Sequence, residues 1–69
     1  MKLREKYGEY LTGKRIEAGL TLKQLSEKTD IPERKLLAVE TEKVQNFSIH
    51  DIRMFCKALN VHLDEVFDD

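Results

Sequence analysis

Three charged side chains of different chemistry, Glu33, Arg34 and Lys35, stand directly behind the only proline of the chain, Pro32. A guanidinium can offer two parallel N–H donors to a planar pair of acceptors such as the O6/N7 edge of guanine, a contact worth roughly 1–3 kcal/mol of discrimination. An ammonium suits the same edge or a phosphate, whereas a carboxylate can only accept, as from the amino group of cytosine, and otherwise repels phosphate. The residue types that would break or make bonds are not arranged to do so. His50 and His62 fall on separate elements, and there is no Cys/His or HExxH spacing to collect a metal, no glycine-rich phosphate loop and no nucleophile motif. Cys56 is the only cysteine, so it has no internal disulfide partner, and Phe55 and Leu59 place it on the apolar side of a helical pattern. The expectation is recognition chemistry, not an enzyme, with no cofactor and no metal.

With 69 residues there is room for one domain, spanning 1–69, whose core is built from a few short helices. About two-fifths of the residues are apolar and about a third are charged, the composition of a folded globular chain. A core of this size supplies only about 3–5 kcal/mol, so each cap and each internal pair counts. No stretch is apolar enough to cross a membrane, and the lysine-rich N-terminus lacks the apolar run of a signal peptide. A cytoplasmic location follows as an expectation. The net charge is −1, but residues 1–35 hold nine Lys/Arg against six Asp/Glu and residues 36–69 hold three against seven. The positive N-terminal half could face a polyanion.

The elements that must carry these residues read as five short helices. Leu3, Tyr7, Leu11 and Ala18 recur at helical spacing and predict a first amphipathic helix over 2–18, closed by Gly19. Tyr7 and Tyr10 read as core and boundary residues of that helix. Thr21 and Gln24 form a capping-box pattern ahead of a second helix to about Lys28, with Leu22 and Leu25 inward. Thr29-Asp30-Ile31-Pro32 is a turn, and a third helix runs over 32–41 with Leu36 and Val39 on the core side. Two short helices joined by a tight turn with an apolar centre describe a helix-turn-helix. After a loop over 42–47, Ser48 and Asp51 cap a fourth helix whose stripe is Ile49, Ile52, Phe55, Cys56 and Leu59, stopped by Asn60. A fifth, over 62–67, presents Leu63, Val66 and Phe67.

Tyr7-Gly8-Glu9-Tyr10-Leu11, Arg15 ahead of Gly19-Leu20-Thr21, Leu25-Ser26-Glu27-Lys28-Thr29, Glu40, and Lys57-Ala58-Leu59-Asn60-Val61 with Leu63-Asp64-Glu65 occur in order over nearly the whole chain. In this the chain resembles the lambda-repressor-like (Cro/repressor, or xenobiotic-response-element) helix-turn-helix domains of bacteria and phages. The resemblance implies an all-α bundle that binds duplex DNA as a transcriptional regulator, by default a repressor. It pairs Arg15 with Glu40 as an internal ion pair. It also sets Thr21, Lys23 and the start of the second helix against one backbone phosphate, and Lys43, Asn46 and the Ser48 cap against another. A helix-turn-helix reads bases with the exposed early positions of its second helix, here Glu33, Arg34, Lys35, Leu37 and Ala38, with Arg34 foremost. Leu22, Leu37 and Ala38 stand where relatives often carry polar side chains, and Glu42 replaces a glycine. Leu37 motivates a second reading, a protein-interaction module of antitoxin or antirepressor type that uses the same helix face on a protein partner. A homodimer through Phe67 is the further partner the sequence suggests.

Overall fold

The computed structural model describes residues 2–43 and 49–68. In chain order it contains β1 (Lys2–Leu3), α1 (Tyr7–Glu17), α2 (Leu22–Thr29), α3 (Glu33–Glu40), α4 (Ile49–Ala58), a 3-10 turn (Leu63–Glu65) and β2 (Phe67–Asp68). The class is all-α, with one small two-stranded ribbon. α2 packs on α3 and α4, and α1 packs on α3. Leu11, Leu25, Leu36, Ile52, Phe55 and Val66 are fully buried between them.

Both ends of the chain depart from the helical expectation. The first helix begins at Tyr7, not Lys2, because Lys2 and Leu3 pair antiparallel with Asp68 and Phe67. Lys6 takes a left-handed conformation at the junction (φ 61°). Ala18, expected on the buried stripe, is exposed at the C-terminal end of α1. The last expected helix is a single 3-10 turn followed by β2. Val66 is buried there while Leu63 and Phe67 pack in part against the core. Ile49, expected on the stripe of α4, is half exposed. It sits in the first turn, where a helical side chain leans back towards the N-terminal end and here passes the buried row.

Local chemistry explains where the described helices stop and start. Gly19 (φ 73°), Asp30 (φ 63°) and Asn60 (φ 59°) adopt the left-handed conformation that ends a helix and that these three types tolerate best. Thr21 accepts from the Gln24 amide at 3.1 Å, and Gln24 Oε1 accepts from the Thr21 amide at 2.9 Å, a complete capping box. In the turn after α2, Ser26 Oγ donates to the Ile31 carbonyl at 2.6 Å and Thr29 Oγ1 donates to that of Leu25 at 2.8 Å. These bonds fix the angle at which α3 leaves α2. The expected cap at Ser48 lies outside the described residues.

The ribbon is tied to α1 through Tyr10, whose hydroxyl donates to Glu65 Oε1, while Glu65 Oε2 accepts from the His62 amide at 2.8 Å. Arg4 adds a bond to the Glu65 carbonyl at 3.1 Å and an ion pair to Asp68 at 3.5 Å. The Tyr10 bond, more than the His62 amide, holds the Glu65 carboxyl below its ordinary 4.5. The same bond, with burial second, raises the phenol above 10.0. A depressed carboxylate stabilises the fold above its ordinary value and loses that contribution as pH falls through the folded value. A raised phenol loses its contribution as pH climbs through the folded value. The melting-temperature difference between wild type and Tyr10→Phe is therefore expected to be flat between 4.5 and 10.0 and to shrink outside that window. A difference that instead grew on acidification would contradict this assignment.

Candidate nucleic-acid interface

The outward side of α3 carries the sequence's main candidates for recognition. Glu33, Arg34, Lys35 and Leu37 are exposed and Ala38 is half-buried. Arg34, Leu37 and Ala38 fall at helical spacing on one stripe, and Thr41 continues it. Together with Lys43 these four line a shallow depression, so a residue expected at phosphate joins residues expected at bases. Thr41 was not among the sequence candidates. The i, i+3, i+4, i+7 spacing from Arg34 would have found it. Its hydroxyl donates to the Leu37 carbonyl at 2.8 Å.

The charged trio divides. Among the described residues the Arg34 side chain makes no hydrogen bond or ion pair, so its guanidinium is free to meet a planar acceptor. Lys35 leans away from the stripe to α4, its Nζ 3.6 Å from Asp51 Oδ2. With Lys35 largely exposed that pair is weak, but it draws the ammonium off the Arg34 row. Thr21 is exposed at the amino end of α2, with Lys23 exposed in the first turn. The capping box takes up the Thr21 and Gln24 amides, so it is the Leu22 and Lys23 amides that stand beside a cation here, an arrangement suited to an anion. Asn46 and Ser48 lie outside the described residues.

Beneath the stripe, α3 is bolted to α1. Arg15 Nε donates to Glu40 Oε2 at 2.7 Å and Nη2 to Oε1 at 3.3 Å, while Nη1 donates to the Leu20 carbonyl at 2.7 Å. The Thr12 hydroxyl is 2.8 Å from Glu40 Oε1. The Glu40 side chain is 4% exposed and that of Arg15 15%, so neither faces a ligand on the surface. Glu42, at the position where the resemblance leads one to expect glycine, has φ 58°, the conformation a glycine would supply without strain. Its carboxylate accepts from the Gly8 amide at 3.3 Å, a contact that places negative charge at the amino end of α1.

The remaining reactive types stay out of this surface. The Cys56 thiol is buried and pushed up to about 11, chiefly by burial and then by the Glu65 carboxylate. Both histidines are exposed. Among the described residues no group of His, Cys, Asp or Glu is placed to hold a metal ion, and no helix is long and apolar enough to cross a membrane.

A family model described as Cro/C1-type HTH DNA-binding domain matches residues 11–69. The chain belongs to that family. No curated protein and no solved structure matches it. As a Cro/C1-type domain the chain is a DNA-binding regulator in general form, and α2 and α3 are its helix-turn-helix. Position 42 of this Cro/C1-type chain is a glutamate in the left-handed conformation.

Proposed function

We propose that the chain, acting in the cytoplasm as one helix-turn-helix domain over 1–69, is a sequence-specific duplex-DNA regulator. It lays the amino-terminal half of α3 in the major groove and represses by occupying a promoter. The observation that carries this reading is the free guanidinium of Arg34 on an otherwise open stripe, with the neighbouring lysine drawn towards Asp51. Arg34 reads guanine, Glu33 borders it and disfavours misplaced phosphate, and Lys35 makes the lesser contribution. Thr21 and Lys23 hold one phosphate. Lys43, with Asn46 and Ser48, holds a second, and these contacts fix register without reading bases.

The test is equilibrium binding to one preferred duplex. Arg34→Ala is expected to weaken binding by about 5–150-fold, equivalent to roughly 1–3 kcal/mol, and to relax preference at one base pair. Lys35→Ala should weaken it less and leave the preference unchanged. Equal losses in both variants, with the preference intact, would mean that Arg34 holds phosphate and not a base. The half-exposed Leu37 is the one observation that favours the rival reading, a protein partner on the same face. That reading predicts no binding to duplex at low salt by a folded protein. Self-association of two copies on a palindromic site belongs to the same proposal, and sedimentation with and without DNA measures it.

A further inference from the structure

The α3 stripe is unusual in what it offers besides Arg34. Leu37 is 49% exposed, one of the large apolar side chains left open on the molecule, and Ala38 lies next to it on the same face. Thr41, the next residue along, has its hydroxyl engaged with the Leu37 carbonyl at 2.8 Å and lies 3.4 Å from that of Ala38. Beyond Arg34, the depression lined by Arg34, Leu37, Ala38, Thr41 and Lys43 thus presents no free side-chain hydrogen-bond donor until Lys43 at its far end. Between Arg34 and Lys43 the surface therefore offers a base edge no donor and a mainly apolar area around Leu37 and Ala38. The one apolar feature that the major groove displays is the C5-methyl group of thymine.

We infer that Leu37 and Ala38 read thymine methyl groups beside the guanine read by Arg34, an inference that rests on the reading of α3 as the major-groove helix. The spacing is set by geometry. At 1.5 Å of rise per residue, Leu37 and Ala38 lie about 4.5 and 6 Å along the axis from Arg34. A base-pair step is about 3.4 Å, so the thymines sit one or two base pairs from that guanine. The burial of a methyl group against Leu37 takes the place of the polar contact that other side chains would make here. The apolar stripe is then a specificity determinant.

Replacing thymidine by deoxyuridine removes one methyl and leaves every hydrogen-bonding group of the base pair unchanged. Binding of wild type and of Leu37→Ala is measured on the preferred duplex, with deoxyuridine placed at each thymine within two base pairs of the Arg34 guanine. The wild type is expected to lose about fourfold in affinity at one or two of these positions, the equivalent of one buried methyl group. Leu37→Ala should bind the thymidine duplex more weakly and should no longer distinguish the two duplexes. A preferred duplex with no thymine in that window would overturn the inference, as would equal wild-type affinity for both duplexes, and in either case Arg34 would remain the reader of guanine. A folded protein that binds no duplex would overturn both readings together.

Discussion

Arg15→Ala is expected to lower the unfolding free energy by about 3–5 kcal/mol, the range for breaking one side of a buried ion pair. The loss comes mainly from what remains. Glu40, with a side chain 4% exposed, would keep a buried negative charge that, among the described residues, is left with the Thr12 hydroxyl alone. The Leu20 carbonyl would lose its bond from Nη1 as well. Against a core that supplies only about 3–5 kcal/mol, much of the variant should be unfolded at room temperature. Removing both charges at once with apolar side chains, Arg15→Met with Glu40→Leu, should cost less than either single change, because no charge is stranded. Urea denaturation of the single and double variants measures both statements. An Arg15→Ala protein that kept its stability but lost DNA binding would move Arg15 to the DNA surface.

Gly8→Ala is the second large effect, and it arises from a close approach of backbones. A Cβ at position 8 would lie 2.2 Å from the Glu40 carbonyl oxygen and 2.8 Å from its carbon, both main-chain atoms that cannot rotate away. α1 would have to move off the end of α3. Overpacking costs about 1–3 kcal/mol where side chains can yield, and this contact lies at or above the upper end, so a melting temperature lower by about 10–20 °C is expected. Gly13 offers the control in the same helix. Nothing lies within 4 Å of its added Cβ, and its substitution by alanine should stabilise by about 0.5–1 kcal/mol. Opposite signs for one substitution at two positions of α1 would locate the effect in the α1–α3 contact. A mild loss at Gly8 would show that the helices can separate without cost.

The signals that sequence carried well were local. Thr21 with Gln24, the turn at Asp30-Ile31-Pro32, Gly19 and Asn60 each state a backbone requirement within a few residues, and the described elements stop and start at them. The ends of the chain were misread because their structure is not local. Leu3 has helical spacing with Tyr7, but Phe67 and Asp68 claim the backbone groups of Lys2 and Leu3 from the other end of the chain. Ile49 continues the spacing of α4 yet starts one turn too early to reach the core. At the recognition surface the residue types on α3 were legible, while their directions were not. Helical spacing alone sets Lys35 off the Arg34 row, but its pairing with Asp51 on α4 and the approach of Lys43 to that row appear only in the fold. The closeness of Gly8 to Glu40 is likewise invisible in one dimension.

In the proposed function α3 reads bases in duplex DNA with Arg34. The most direct measurement is selection of bound duplexes from a random pool at low salt, run side by side on wild type and Arg34→Ala after both are shown to be folded. The wild type is expected to yield an enriched motif that contains a guanine, and the variant to lose information at that guanine with the flanking positions retained. An identical motif from both proteins, or no enrichment from folded wild type, would contradict it.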